Sequence, residues 1–117
     1  MDDGIDALLK ILRNDGGRAA GGIFNIGHPG NDCSIRELAE ILRGLFAKHP
    51  RVRGSREIPP IVEVTSGDYY GRGYQDIATR TPTILRAKEQ LGWEPKVGLR
   101  DALERTLHAF IEENPLP

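Results

Sequence analysis

Apolar residues recur at helical spacing in four separate stretches of the chain, and this pattern constrains the fold more than any other feature. The first stretch repeats at i, i+3, i+4 and i+7 and consists of Ile5, Leu8, Leu9 and Leu12. The other three lie within residues 35–48, 81–91 and 99–111. Each stripe is typical of a helix that buries one face. We therefore expect four amphipathic helices.

Capping signals mark the ends of these predicted helices. Residues 14–17, with the sequence Asn-Asp-Gly-Gly, end the first helix. Ser34 and Glu37 form a capping box, in which the serine oxygen accepts a hydrogen bond from the N3 amide and the glutamate reaches back. Thr81, followed by a proline, predicts the start of the third helix, and Gly92 predicts its end. The fourth helix carries no comparable signal.

Two short apolar runs predict strands. Gly21–Gly27 is an apolar run between glycines, and Ile61–Val64 is a second candidate. The segment Gly67–Thr79 has no helical period and contains three glycines, so we expect a loop or an extended chain. The predicted fold class is α/β, with about four helices and two or three short strands. Because two isolated strands form a poor sheet, a neighbouring body or a second copy of the chain should supply more surface.

Length and composition fit one small domain that covers residues 1–117. The chain has 16 basic and 17 acidic residues, and this balance gives no overall field that would attract nucleic acid or a membrane. Cys33 is the single cysteine, which excludes an internal disulfide and fits a reducing compartment. Neither an apolar run of roughly 20 residues nor a signal peptide is present. We therefore expect a cytoplasmic protein.

The segment from Tyr69 to Arg80 carries the strongest functional signal. It holds all three tyrosines of the chain, together with Arg72 and Arg80. A tyrosine ring offers a flat apolar face with a polar tip. An arginine is a permanent cation that can hold a carboxylate or a phosphate with two hydrogen bonds. Because a ring, a diphosphate and an acid would suit this combination, the segment predicts binding of a nucleotide sugar acid.

Several motifs resemble one enzyme family. Gly22–Pro29, Ser34–Leu38, Arg80–Lys88 and Leu91–Pro95 are similar to the C-terminal, substrate-binding lobe of extended short-chain dehydrogenase/reductases (extended SDRs, the NAD-dependent epimerase/dehydratase family) that act on nucleotide sugars. Epimerases, dehydratases and decarboxylases share these motifs. Tyr69–Asp76 resembles more narrowly the UDP-glucuronic acid decarboxylase domain of bifunctional polymyxin-resistance proteins. The resemblance therefore implies lipid A modification, with a UDP-sugar as the ligand.

The resemblance also implies roles for individual residues. In the family, NAD oxidises the sugar C4 hydroxyl and carbon dioxide leaves the resulting β-keto acid, giving a UDP-4-keto-pentose. Arg80 matches the arginine assigned to the developing enolate, which needs a nearby positive charge. Tyr74 matches a tyrosine at the nucleotide end of the ligand, Arg72 could meet phosphate, and Tyr70 is a weaker candidate. Each has a plainer alternative: Arg80 could cap a turn, Tyr74 could anchor the loop, Arg72 could be solvated, and packing is the better interpretation for Tyr69 and Tyr70.

The NAD-binding half of the family is not recognisable in this sequence. That half requires G-x-G-x-x-G after a strand and a later Tyr-x-x-x-Lys pair. The glycine pairs at 16–17 and 21–22 follow a predicted helix, and residues 71–73 form a lone G-x-G. A predicted helix at the first residue, with no strand before it, also suggests a fragment of a larger fold. We expect a substrate-binding lobe whose missing Rossmann domain would hold NAD, so that the isolated chain binds no NAD and is inactive.

Other polar residues predict no further chemistry. The histidines, at positions 28, 49 and 108, are too scattered to suggest a ligand set, so we expect no metal site. Asn25 could bond backbone or a ligand, and we expect it to be satisfied within the core. Trp93 is expected to lie in the core between the third and fourth helices. Two other hypotheses stay open. One is the lobe of a nucleotide-sugar epimerase or dehydratase, and the other is a non-catalytic module whose helical faces pair with another chain as a homo-oligomer.

Overall fold

The computed structural model describes residues 1–54, 57–71 and 81–114, and within these ranges it describes only the backbone of Ser66 and Tyr70. The regular structure of these residues is entirely helical. The five α-helices of the described ranges are α1 (Asp2–Arg13), α2 (Ile35–Lys48), α3 (Ser66–Tyr70), α4 (Leu85–Leu91) and α5 (Leu99–Glu113). Since the described residues contain no β-strand, the predicted α/β fold class was wrong.

The first predicted strand, Gly21–Gly27, is irregular, and its described long-range contacts involve side chains and not the backbone of a second strand. Phe24 packs against the buried cluster of Ala7, Ala87 and Trp93. The carbonyl oxygen of Ile23 accepts a hydrogen bond from Arg86 Nη1 at 3.3 Å. A β-strand needs the backbone of a neighbouring strand for its hydrogen bonds, and here a side chain takes that place. The prediction of a buried strand was therefore wrong, since Phe24 is only partly buried and Ile23 is 81% exposed.

The second predicted strand, Ile61–Val64, is also irregular. The side chains of Val62 and Val64 are 75% and 60% exposed. Pro59, which lies just before this segment, accepts a hydrogen bond at its carbonyl oxygen from Arg43 Nε at 2.9 Å. Valine and isoleucine favour strands because their branched side chains fit a half-buried pleated surface. Among the described residues no adjacent strand provides that surface, so the local preference is not realised.

The capping predictions hold for α1 and α2. Asn14 ends α1 in the left-handed conformation, with φ 46° and ψ 46°. At the start of α2, the Ser34 hydroxyl oxygen accepts from the Glu37 amide at 3.2 Å, and the Ser34 amide donates to Glu37 Oε2 at 2.8 Å. The Ser34 amide, together with the Ser34 hydroxyl that also donates to Glu37 Oε2 at 2.8 Å, holds the pKa of Glu37 below its usual value, because both bonds favour the carboxylate. The predicted start of the fourth helix at Leu99 is confirmed.

The third predicted helix begins later than its capping signal suggests. α4 starts at Leu85, and Gly92 ends it with φ 59°, as predicted. Thr81 does not cap the helix, and its hydroxyl donates to Asp32 Oδ2 at 3.4 Å. The carbonyl of Thr83 accepts from Asn25 Nδ2 at 3.3 Å. These long-range bonds hold the residues before Leu85 outside the helix.

The described residues form two compact units. The first consists of residues 1–32 and 81–99, and its core is the cluster of Ala7, Ala87 and Trp93. The second consists of residues 33–71 and 100–114, and its buried apolar side chains are Leu45, Val52 and Ile111. The prediction of a single lobe over residues 1–117 stays a prediction.

Helix α1 buries the side opposite its apolar stripe. Ala7 is 1% exposed and packs with Ala87 of α4 and with Trp93. The predicted buried stripe is instead exposed, with values of 48% for Ile5, 61% for Leu8, 45% for Leu9 and 78% for Leu12. The prediction of this helix was therefore correct, but that of its buried face was wrong. No helix of the described residues is long and apolar enough to cross a bilayer.

Candidate functional site

The residues predicted to bind and transform the ligand fall mostly where the structure gives no description. Arg72, Tyr74 and Arg80 lie outside the described residues, and for Tyr70 only the backbone is described. The proposed roles of these four residues therefore stay predictions. The described residues before this segment belong to the second unit, and those after it belong to the first.

A short helix leads into the tyrosine and arginine segment. Thr65 caps α3, because its hydroxyl oxygen accepts a hydrogen bond from the Asp68 amide at 3.2 Å. The same hydroxyl group donates its hydrogen to Asp68 Oδ2 at 2.5 Å. Gly71 ends the helix with φ 87°, a conformation that side chains disfavour. The predicted loop or extended chain was wrong for residues 67–70. The threonine followed three residues later by an acid was the sequence signal that could have revealed the helix.

Tyr69 is the tyrosine whose side chain the structure describes. It is 73% exposed, on the five-residue helix α3. Packing was the expected role of this side chain, and that expectation was wrong. An exposed tyrosine next to the segment offers the kind of apolar ring with a polar tip that ligand contacts use.

The chain just after Arg80 is anchored to the turn region at residues 25–32. Asn25 donates to the Thr83 carbonyl, and Thr81 donates to Asp32. Gly27 lies so close to Pro82 that an added Cβ would approach Pro82 Cγ to 2.8 Å. Two of the motifs that carry the family resemblance are thus brought together in one unit. Asn25 thus bonds backbone, but as an exposed residue and not in the core as predicted.

The Leu91–Pro95 motif is structural in the described residues. Trp93 is 1% exposed, and its indole Nε1 donates to the Asp3 carbonyl oxygen at 2.9 Å. The core position predicted for Trp93 is confirmed, although the described cluster joins α4 to α1 and not to α5. Lys88 and Glu94 form an ion pair across the end of α4. These contacts hold the chain after α4 and leave no reacting group in the motif.

The Asp3 carboxylate is held by backbone amides. Asp3 Oδ2 accepts from the amides of Lys96 and Val97 at 3.0 and 2.9 Å. The Val97 amide, helped by the Lys96 amide and the charge of His28, holds the pKa of Asp3 below its usual value of 3.8, against an opposing effect of burial. A perturbed pKa can mark a functional site. Here both partners are backbone groups of the same unit, so the role is structural.

Two histidines that are distant in sequence meet in the second unit. His49 Nε2 and His108 Nδ1 are 3.2 Å apart. His49 Nδ1 accepts from the Arg51 amide at 3.3 Å. A neutral imidazole with one accepting nitrogen carries its proton on the other, so His49 donates to His108. The histidines are therefore less scattered than the sequence suggested.

The histidine pair borders a cavity of about 240 Å³. Its lining combines apolar, basic and acidic side chains, namely Leu45, Lys48, His49, Pro50, Arg100, Glu104, Leu107 and His108. Among the described residues, no three His, Cys, Asp or Glu side chains are grouped so that they could hold a metal ion. Arg51, which follows Pro50 of this lining in sequence, donates to Glu112 Oε2 at 2.8 Å and to the Ile111 carbonyl at 3.3 Å.

The second unit also contains an apolar groove of about 350 Å³. It lies between α2, the irregular segment after residue 57 and α5, and it is lined by Leu42, Arg43, Phe46, Ile58, Pro59, Pro60, Ile61 and Leu107. Apolar side chains with one arginine could accept a flat ring that carries a negative group. The sequence did not indicate this groove, because its lining comes from three separate segments.

Over nearly its whole length, the chain is similar to a protein of solved structure. The crystal structure of the PbgP3 protein from Burkholderia pseudomallei matches with a TM-score of 0.68 and 32% sequence identity. The match covers 97% of this chain and 28% of PbgP3, so the chain spans less than a third of that protein. No protein-family model matches the chain. The similarity supports the family-level resemblance of the motifs.

Proposed function

We propose that this chain is the UDP-sugar-binding part of a UDP-glucuronate decarboxylase-like enzyme. The observation that carries the proposal is the similarity to PbgP3 across 97% of the chain. The motif Tyr69–Asp76 adds the preference for a sugar acid, as the sequence resemblance implies. In this proposal the enzyme works in the cytoplasm, and its UDP-4-keto-pentose product serves lipid A modification and polymyxin resistance.

Four side chains have roles in the proposal. The Arg80 guanidinium holds the sugar carboxylate and then stabilises the enolate left when carbon dioxide departs. Tyr74 packs its ring on the nucleotide and donates its hydroxyl to an oxygen. Arg72 neutralises phosphate, and Tyr70 borders the sugar. The anchoring of residues 81–83 to the turn region supports the role of Arg80, because it gives the chain after Arg80 a fixed position within its unit.

In this proposal NAD is held by a different body. When bound, it accepts the hydride from the sugar. Gly16 and Gly17 do not fit its pyrophosphate, because they follow the C-terminus of α1. Pyrophosphate binds at helix N-termini, where amide groups point outward, and a C-terminus presents carbonyl oxygens. We therefore propose a Rossmann domain as partner, and a chain that is inactive alone.

Ligand titration tests this proposal directly. Isothermal titration of the chain with UDP, UDP-glucose and UDP-glucuronate should show weak saturable binding, strongest for UDP-glucuronate. Arg80→Ala should weaken UDP-glucuronate about tenfold, the value of one lost charge-assisted contact, and leave UDP-glucose nearly unchanged. Tyr74→Ala should weaken all three ligands. The matched control is Arg53→Ala, which removes an equal charge from an exposed turn of the second unit.

Different outcomes separate the competing hypotheses. Equal affinity for UDP-glucose and UDP-glucuronate, with no effect of Arg80→Ala, would favour the lobe of an epimerase or dehydratase. No saturable binding of any UDP-sugar would overturn ligand binding altogether. Carbon dioxide release from UDP-glucuronate and NAD by this chain alone would refute the claim that the NAD site lies elsewhere.

A further inference from the structure

The exposed stripe of α1, formed by Ile5, Leu8, Leu9 and Leu12, lies on a firmly attached helix. On its opposite side, α1 buries Ala7 against α4, and its first turn receives bonds from the chain at residues 93–97. The stripe is therefore held in place while its four apolar side chains remain exposed. A contiguous apolar surface of this kind marks an interaction site.

The charges of α1 follow an order that suits one particular occupant. Acidic residues occupy the first half of the helix, and basic residues occupy the last turn, at Lys10 and Arg13. With about 100° of rotation per residue, Asp6 and Arg13 project on the same flank of the stripe. This flank carries an acidic residue near one end and a basic residue near the other. When two copies of the helix lie antiparallel, the acidic end of each flank therefore faces the basic end of the other.

We propose that the stripe is a self-pairing surface, on which α1 packs antiparallel against α1 of a second copy of this chain. A twofold axis between Leu8 and Leu9 makes the contact isologous, so that each copy offers the same surface. The twofold axis brings the same flank of each copy to the same side of the contact, and the two helices run in opposite directions. Arg13 of one copy then faces Asp6 of the other, offset along the axis by about 3 Å. Leu8 and Leu9 lie at the centre, and Leu12 packs against Ile5.

This contact is small, so the dimer is expected to be weak. One helix face buries less than the roughly 1,200 Å² of a standard specific interface. We expect a dissociation constant of about 10–100 µM. Sedimentation equilibrium between low micromolar and millimolar concentration should show the transition from monomer to dimer, with no UDP-sugar present.

Substitution of the stripe tests the surface. Leu8→Glu combined with Leu12→Glu should abolish the dimer, since it places four charges in the contact. Both side chains are exposed in the single chain, so the variant should retain its circular dichroism spectrum. Ile35→Glu is the matched control, because Ile35 is 81% exposed on α2. A wild-type chain that stays monomeric at millimolar concentration overturns the proposal and leaves the stripe for another partner, such as a Rossmann domain.

Cysteine crosslinking tests the antiparallel register. In a Cys33→Ser background, Leu8→Cys lies next to the axis and should form a disulfide-linked dimer under mild oxidation. Leu12→Cys should not, because its symmetry mate would be about 10 Å away along the helix, beyond disulfide reach. Efficient crosslinking at both positions would indicate a parallel or unspecific pairing and would contradict the register.

Charge reversal separates specific pairing from a merely adhesive surface. Asp6→Arg and Arg13→Asp should each raise the dissociation constant about threefold to tenfold, because like charges then face each other. The double variant Asp6→Arg/Arg13→Asp restores opposite charges and should recover most of the affinity. If the double variant is as weak as the sum of the single ones, the proposed Asp6–Arg13 contact is excluded.

Discussion

The two units of this chain are stabilised by different kinds of contact. In the first unit, a buried indole and a carboxylate held by amides connect segments about ninety residues apart, as in the Trp93–Asp3 bond. In the second unit, the corresponding long-range contacts are ion pairs and a histidine pair on half-exposed side chains, such as Arg51–Glu112. Burial strengthens packing and hydrogen bonds, whereas water screens surface charges. Substitutions at these long-range contacts should therefore cost more stability in the first unit than in the second.

The largest effect is expected for Trp93→Ala. Loss of this buried ring should lower the free energy of unfolding by about 3–5 kcal/mol, because a cavity opens between α1 and α4. Urea unfolding followed by circular dichroism measures the change. Ile111→Val, a smaller deletion in the second unit, should cost only about 1 kcal/mol. A loss below about 1 kcal/mol for Trp93→Ala would contradict the importance of this cluster.

Asp3→Asn should have the next largest effect. Near neutral pH it should cost about 1 kcal/mol, because an amide oxygen accepts from Lys96 and Val97 more weakly than a carboxylate does. The folded pKa of Asp3 lies below the unfolded value, so its stabilisation is present above pH 3.8 and is lost as pH falls through the folded pKa. Fluorescence of Trp93, the chain's single tryptophan, reports this unit. A difference from wild type that stays constant down to pH 2 would exclude the charge as its cause.

Ser34→Ala tests a local contribution in the second unit. Removing the N-cap hydroxyl of α2 should cost about 1 kcal/mol, since the amide of Glu37 loses its acceptor. Ser34→Asp keeps an acceptor oxygen at the cap and serves as the control that should remain near wild type. Thermal unfolding by circular dichroism distinguishes the two variants. Equal losses in both would show that the hydroxyl bond contributes little.

The smallest effect is expected for the Arg51–Glu112 pair. Both side chains are nearly half exposed, so a double-mutant cycle with Arg51→Met and Glu112→Gln should give a coupling of about 0.5 kcal/mol. High salt should reduce that coupling further. A coupling above about 2 kcal/mol would contradict the contrast between the units, because it would require a pair protected from water.

Local sequence signals predicted helix positions well and tertiary partners poorly. The capping box at Ser34, which starts α2, and the glycine at residue 92, which ends α4, were confirmed. Both signals act within one turn of the helix terminus that they cap. Thr81 showed the opposite, because the same residue that could cap a helix donates instead to Asp32. The Thr65 cap of α3 was present in the sequence but was missed in a segment assigned to a loop.

The sequence predicted which residues belong to the candidate site, but not how distant parts of the chain are positioned around them. The Tyr69–Asp76 resemblance indicated a ligand. The contacts that the structure describes are made by residues before and after the proposed binding side chains, and not by those side chains themselves. The histidine pair could not be predicted, because 59 residues separate its members. The anchoring of Pro82 against Gly27 was likewise outside the reach of spacing arguments, since the two residues lie in separate motifs.

The sequence by itself determined where the long helices lie, where α1 ends and where α2 begins, since helical period and caps depend on neighbours within a few residues. Only the tertiary structure decided which surfaces are covered. The amphipathic pattern of α1 identifies its apolar stripe, yet packing on α4 uses the opposite side through Ala7. The predicted strands also needed partners that the described chain does not place beside them. An apolar face or an extended segment is stabilised only by what contacts it, and that contact comes from distant parts of the chain or from another molecule.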